Sequence, residues 1–505
     1  MGAILRLNAA RFPSKLAVKD EERSLTYADL NARACALAAA LQGLGVKKGD
    51  PVAICLPTRV EHVELLLAAA KIGAVAIPLD VKWREVELRS VLRALEPRVV
   101  VSEEVHLAQV EAAGIPAGRC LVVGAASGPG RPAYEALARE RAPEPEADVG
   151  EDDLFLVMIT SGTTGFPKAC MASHRTFFYR CLNRGIDKGL SADDVTLLVM
   201  PLYFNAGRVS VVAGLCFGGT VVLRRRFDPV EALRAVEAEG VTATTIVPTI
   251  CDRLLEGRRE CRASTDSLRY LGITGAALHR RTIEGLLRSI TPYVYLAYAS
   301  TDTGQVTTLR PEDQLTRFGS SGQVVWGIDV QLVDEAGRPV PRGEVGEVTC
   351  RGPSVHLGYY RNEEATRAAF RDGWFFTGDL GRFDEQGYLY IVGRRKSMIK
   401  TGGISVFPEE IEGVLHTHPK VGEAAVVGVP HPAWGEAIRA VVVLRPGEVV
   451  TEQDLIEFCK GRLAPYKAPK AVEFVETLPR TESGKVAKER LRARYAPGGG
   501  DGPAA

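Results

Sequence analysis

The chain has 505 residues, 46% of them hydrophobic and 25% charged, with a formal net charge of +1. That length exceeds a single hydrophobic core and predicts roughly three domain-sized units at ~150 residues each. The balanced charge gives no electrostatic case for nucleic acid or an anionic membrane as partner. Ten cysteines are scattered without a CxxC pair or a Cys/His spacing that frames a metal site, so reduced thiols in a cytoplasmic protein are expected.

In chain order, the segment Met1 to Arg6 lacks the long apolar core of a secretory signal, and Arg6 breaks the myristoylation pattern. The apolar stretch Val63 to Leu79 is interrupted by Lys71 and Pro78, and Val209 to Leu223 holds glycines. Neither reaches the ~18 uninterrupted apolar residues of a membrane helix. Ala125 to Gly150, rich in Ala, Gly, Pro and Glu, reads as a surface connection. Leu154 to Ile159 is predicted as a strand and Thr176 to Asn183 as part of a helix. Asp228-Pro229 supplies an N-cap with proline at the first helical position, Gly240 marks the helix end, and Val241 to Val247 follows as a buried strand.

Apolar runs alternating with helical segments predict an α/β fold, with layered α/β subdomains in a large N-terminal domain. After about Val330 short alternating strands with Gly-Arg-Pro turns predict a small β-barrel-like unit. From Phe407 onward a small α+β segment is expected, with a helix starting at Thr451-Glu452-Gln453-Asp454. The Gly/Pro/Ala-rich residues 496–505 read as a disordered tail.

The strongest local signal is Thr160-Ser161-Gly162-Thr163-Thr164-Gly165-Phe166-Pro167-Lys168. A strand, a glycine and hydroxyl loop, and then a helix is a context in which backbone N–H groups can wrap phosphate oxygens. Lys168 adds positive charge at the loop's exit. The pattern is not a Walker A loop, and a plain surface turn is the competing reading.

This loop resembles the signature of the adenylate-forming superfamily, in the acyl- and aryl-CoA synthetase branch. Further motifs similar to that family's follow in its order. They are Pro201-Leu202-Tyr203-Phe204-Asn205-Ala206-Gly207, Thr274-Gly275-Ala276-Ala277-Leu278 and Tyr298-Ala299-Ser300-Thr301-Asp302. Gly373 to Asp379, Gly393-Arg394-Arg395-Lys396, Gly402-Gly403, Pro408 to Glu412 and Pro479 to Lys485 complete the set. The resemblance runs from about Leu25 to Arg490. It implies a domain of residues 1–393, a hinge at 394–397 and a mobile C-terminal domain of 398–495.

The resemblance also implies two half-reactions: a carboxylic acid and Mg-ATP give an acyl-adenylate and pyrophosphate, and the thiol of CoA then displaces AMP. Lys485 matches the lysine bridging carboxylate and α-phosphate. The Thr160 to Lys168 loop would hold the outer phosphates, and Thr301 would donate to the α-phosphate. Asp379 would accept both ribose hydroxyls, a task for a two-oxygen acceptor, with Arg394 beside the ribose. Tyr298 would lie against adenine, near Gly275, Ala276, Ala277, Ala299 and Ser300. Lys396 falls at the hinge position, and rotation there would bring the loop Lys400 to Gly403 over the thiol channel. Gly402 and Gly403, without side chains, would let a pantetheine arm pass close to the backbone.

Two departures stand out. Asp302 occupies the position of the family's usual magnesium-ligating Glu, one methylene shorter. Phe204 replaces a common His, keeping an aromatic gate without an imidazole. Phe204, Asn205, Ala206, Gly207, Ala276, Ala277 and Ala297 form a mostly small, apolar candidate pocket, pointing to a fatty, alicyclic or aromatic acid. Arg208 reads chiefly as a capping or surface group, with pairing to a second carboxylate as the alternative. The expected partners are the acid, ATP and CoA, and a homodimer is left open. The rival functions are an acyl-AMP ligase loading a carrier protein and, in another class, a non-catalytic nucleotide-binding relative.

Overall fold

Hydrophobic periodicity along the chain resolves, in the computed structural model, into helices laid against parallel-rich sheets. The described residues are 1–124, 133–160, 168–481 and 486–495, with Thr160 and Ser405 described by backbone alone. The chain divides into two compact units: Met1–Asp329 with Cys350–Phe375, and Val330–Thr349 with the chain from Phe376 onward.

In the first unit, a nine-stranded sheet runs in the order 323–324, 304–309, 294–300, 270–274, 243–246, 195–198, 220–223, 16–19 and 24–26. A six-stranded sheet runs 120–123, 99–103, 51–55, 75–78, 154–160 and 168–173. Most neighbours in both are parallel, as expected of strands joined by helical crossovers. The helix Pro229–Glu239 forms as its ends prescribe: the Asp228 carboxylate accepts from the Val230 and Glu231 amides, and Gly240 closes it at φ 60°.

The apolar stretch that could be taken for a membrane segment is a core helix. Every residue of Val60–Ile72 is buried, and no described helix is long and apolar enough to cross a membrane. Leu65, Leu66 and Ala68 pack into the core of the six-stranded sheet, whereas Val60, Val63 and Leu67 pack into that of the nine-stranded sheet. Its Glu64 is satisfied inside this layer by Arg33 at 2.5 Å and by the Tyr134 hydroxyl at 2.5 Å.

Two expectations need correction. Thr176 to Asn183 lie in the helix His174–Lys188 as predicted, but an unforeseen strand comes first: Lys168–Ser173 returns antiparallel to Leu154–Thr160, with Thr160 opposite Lys168. Nor is the 125–150 stretch wholly a surface connection. Residues 125–132 lie outside the described ones, but Tyr134–Ala138 is a short helix whose Tyr134 is 1% exposed.

In the second unit the strands 329–333, 346–351, 374–383 and 389–394 belong to one sheet and 399–401, 404–406, 421–431, 435–444 and 471–474 to another. The helix Glu452–Lys460 starts as read, with a reciprocal capping box between Thr451 and Asp454. The expected tail, 496–505, lies outside the described residues.

Candidate active site

Asp302 follows the strand Val294–Ser300, in the tight connection to the antiparallel strand Gly304–Leu309. Ser300 braces the turn, its hydroxyl accepting from the Thr303 amide at 3.1 Å. The Asp302 carboxylate points among buried groups from distant segments. Its Oδ1 accepts from the Tyr359 hydroxyl at 3.0 Å and the Cys170 thiol at 3.3 Å, with His356 Nε2 at 3.8 Å. Burial, then Asp302, raises the Cys170 and Tyr359 acidities' pKa values well above their usual ranges, so both stay protonated donors. Burial lowers the His356 pKa, keeping that imidazole neutral.

Arg180, on the helix His174–Lys188, holds the backbone of this turn. Its guanidinium is 2% exposed and donates to the carbonyls of Ser354 at 2.8 Å and Asp302 at 3.0 Å, and to Asn205 Oδ1 at 3.5 Å. Burial lowers its pKa to about 10, which still leaves it charged at neutral pH. Lys168 enters the same neighbourhood, its ammonium 4.5 Å from the centre of the Tyr359 ring.

The predicted pocket residues begin the helix Asn205–Cys216. Phe204 caps its start and meets Tyr203 edge-on at a 4.8 Å centroid distance. A side chain at Gly207 would come within 2.7 Å of the Pro201 carbonyl, so the helix can follow the Pro201 turn this closely only with glycine there. Ala206 packs on the core beneath. Arg208 is fully buried and donates to the carbonyls of Leu202 and Tyr203 at 3.0 and 2.6 Å. It is therefore an internal strut, as the capping reading expects, although not a surface one. Ala297, Tyr298 and Ala299 share the strand Val294–Ser300, and Gly275 turns at φ 105° into exposed Ala276 and Ala277.

The residues of the second unit predicted to meet the nucleotide form their own cluster. Asp379 is 5% exposed and accepts from Arg394 Nε at 2.8 Å, across the strand pair that sets the two residues opposite each other. The neighbouring Gly378 amide donates to Glu347, which also pairs with Arg395 at 2.8 Å. Lys396 lies in the single turn Arg395–Ser397, its carbonyl accepting from Arg492. Gly402 and Gly403 make the tight turn between Ile399–Thr401 and Ile404–Val406 at φ 57° and 81°. That geometry alone calls for glycine. Lys400 is exposed and its amide donates to Glu436.

Ser161, Gly162, Thr163, Thr164, Gly165 and Lys485 lie outside the described residues. Of the remaining predicted residues, Thr301, Asp302, Asn205 and Lys168 meet or adjoin the cluster around Arg180 and Tyr359. Sequence reasoning missed Arg180, Tyr359, Cys170 and His356. No spacing announces them; Arg180 alone carried a signal, as a charged residue on the helix predicted after the Thr160 to Lys168 motif.

Mg²⁺ fits Asp302. Both hydrogen bonds fall on Oδ1 and the side chain keeps 23% exposure, leaving a carboxylate edge, and Mg²⁺ needs only one or two protein carboxylates beside phosphates and water.

The layered scaffold that carries the Asp302 turn is that of an adenylate-forming enzyme. The chain belongs to the AMP-binding enzyme family: that family's profile matches residues 5–360, and the profile of the AMP-binding enzyme C-terminal domain matches residues 410–485. It is an AMP-forming acid–thiol ligase that uses ATP, Mg²⁺ and CoA. Feruloyl-CoA synthase of Amycolatopsis sp is 37% identical over 486 residues, covering 96% of each chain. Indoleacetate–CoA ligase of Aromatoleum aromaticum is 35% identical over 489 residues, covering 96% of each. The solved o-succinylbenzoate CoA synthetase of Bacillus subtilis, in complex with its acyl-adenylate intermediate, superposes with a TM-score of 0.87 at 29% identity, covering 97% of each chain.

Proposed function

We propose that the protein converts an apolar aromatic monocarboxylic acid, of the arylpropenoic or arylacetic type, into its CoA thioester. The observation that carries this reading is the commitment of Arg208. Its buried guanidinium is turned inward, with Nη1 donating to the Leu202 and Tyr203 carbonyls, and Asn205 faces Arg180. The start of the pocket helix thus offers neither a cation for a second carboxylate nor an acid for an ammonium. The ferulate and indoleacetate ligases among its relatives support an aromatic acid. Fatty and alicyclic acids are the second reading, favoured by the small side chains at Ala206, Ala276, Ala277 and Ala297.

In the first half-reaction a carboxylate oxygen bonds to the α-phosphorus as the bond to pyrophosphate breaks. Negative charge grows on phosphoryl oxygens, so cations and N–H donors fixed in advance favour it. Lys485, Lys168, Thr301 and the loop from Thr160 to Gly165 take those roles. Asp302 would hold Mg²⁺, which supplies positive charge to the phosphates when bound. Arg180 fixes the turn that carries Asp302. Asp379 and Arg394 take the ribose, and Tyr298 the adenine. In the second half-reaction the CoA sulfur attacks the activated carbonyl, and AMP leaves.

We retain 1–393, 394–397 and 398–495 as domain, hinge and mobile domain, with Lys400, Gly402 and Gly403 serving the thiol step. Lys396→Pro should then spare pyrophosphate exchange and stop CoA-dependent turnover. Substrate class is tested by AMP release with cinnamic, arylacetic, benzoic and fatty acids, each with and without CoA. CoA-dependent AMP with the aromatic acids is expected. Release with fatty acids alone would replace the aromatic reading, and pyrophosphate exchange without CoA-dependent AMP would replace CoA by a carrier-protein thiol. A homodimer and a cytoplasmic setting are consistent proposals.

A further inference from the structure

Cys170, Asp302 and His356 are far apart in sequence, yet one ligand atom from each lies within 4.8 Å of the others. Cys170 Sγ is 3.3 Å and His356 Nε2 3.8 Å from the same Asp302 oxygen. Two tetrahedral ligands held at ~2.0–2.3 Å from zinc lie about 3.5 Å apart, so the two spacings to Asp302 bracket that of a formed site. Cys170 and the His356 ring are both 0% exposed, while Asp302 keeps an opening to solvent.

The second observation is the imidazole itself. His356 Nε2 is buried without a hydrogen-bond partner and is turned toward Asp302. An orphaned buried nitrogen is costly and uncommon. Nδ1 meets the carbonyl and the amide of Gly358 at 3.0 and 3.2 Å. In the tautomer that donates from Nδ1 to the carbonyl, Nε2 presents a lone pair, the arrangement in which metal-binding histidines are held.

We infer that Cys170, Asp302 and His356 form a site for Zn²⁺ or a similarly thiophilic divalent cation, with water in the fourth position. Thiolate is soft and imidazole borderline, a pair that suits such ions and not Mg²⁺. Binding exchanges the Cys170 thiol proton, released to solvent, for a sulfur–metal bond, with no change of oxidation state. Occupancy turns the Asp302 carboxylate to the soft ion and withdraws it from Mg²⁺, arresting adenylation. This regulatory half rests on the proposed role of Asp302; the metal site does not.

The test uses the full chain and Co²⁺ as a spectroscopic probe, with Zn²⁺ as competitor. One equivalent of Co²⁺ should produce thiolate-to-metal charge-transfer absorption that Zn²⁺ abolishes. Cys170→Val should lack that absorption and His356→Gln should weaken binding. No such absorption in the wild-type protein, or equal absorption in Cys170→Val, overturns the site. In ATP–pyrophosphate exchange, stoichiometric Zn²⁺ should inhibit the wild type about tenfold or more, reversibly with a chelator, and spare Cys170→Val. Equal inhibition of both overturns the regulatory half. Absence of exchange without Zn²⁺ would strike at the proposed ligase reaction, while the Co²⁺ spectrum would still decide the metal site.

Discussion

Replacing Arg180 by Leu separates a positioning role from a stabilising one. The guanidinium makes two good bonds to the Ser354 and Asp302 carbonyls, at 2.8 and 3.0 Å. Hydrogen bonds from a charged donor contribute about 1.5–3 kcal/mol each, so the pair contributes about 3–6 kcal/mol. Against this stands the burial of a cation. The fall of its pKa from 12.5 to about 10 corresponds to about 3 kcal/mol. The difference is about 0–3 kcal/mol, so Arg180→Leu should cost at most about 3 kcal/mol of stability. Its effect on chemistry should be larger, because the Asp302 turn loses its anchor and a displacement of ~1 Å at a reacting centre can cost ~10²-fold. Urea unfolding gives the first quantity, and pyrophosphate exchange per folded molecule gives the second. Arg180→Lys, with a point charge instead of a fork, should be intermediate in exchange. A stability loss well above 3 kcal/mol with unchanged exchange per folded molecule would refute the reasoning.

Lys485→Ala should slow adenylation by ~10²-fold or more while leaving thioester formation from preformed acyl-adenylate intact; equal loss in both half-reactions would remove Lys485 from its role. Arg33→Met leaves Glu64, which is 0% exposed, without its cation, and should destabilise the protein by about 3–5 kcal/mol in urea unfolding. His62 is fully buried, and burial, then Arg208, lowers its pKa from 6.5 to about 3. A depressed histidine pKa stabilises the fold above 6.5, and that contribution is lost as pH falls from 6.5 toward 3. By pH 5 the loss is about 2 kcal/mol. Wild type should therefore lose about 2 kcal/mol more than His62→Gln between pH 7.5 and pH 5, and parallel acid profiles would contradict this.

Much of the architecture was legible because its signals are local. Asp228-Pro229 with Gly240, and Thr451 with Asp454, specify helix ends through bonds made within a few residues. The return strand Lys168–Ser173 escaped because a short run of small residues carries no decisive period, and its partner strand decides it. Tyr134 escaped for a related reason: the surrounding composition is that of a connection, whereas the buried Glu64 and Arg33 make its hydroxyl a core group. At the site, Asp302 and the pocket helix could be found by motif. Arg180, Tyr359, Cys170 and His356 could not, since their association is made by chain crossings more than fifty residues long. Gly403 carries a lesson in the opposite direction: its positive φ in a two-residue turn is a sufficient reason for glycine, beside any service to a thiol arm.

The helix Val60–Ile72 gives its side chains to two cores at once, Leu65 and Leu66 to one sheet and Val63 and Leu67 to the other. Neither sheet can then melt and leave the other with an intact hydrophobic face. The 13-residue segment works as a shared keystone, making the first unit a single cooperative block, so calorimetry should find its two sheets unfolding in one transition. Graded loss of one sheet ahead of the other is a route this packing closes, and an insertion tolerated in an outer loop would be felt by both sheets if placed here.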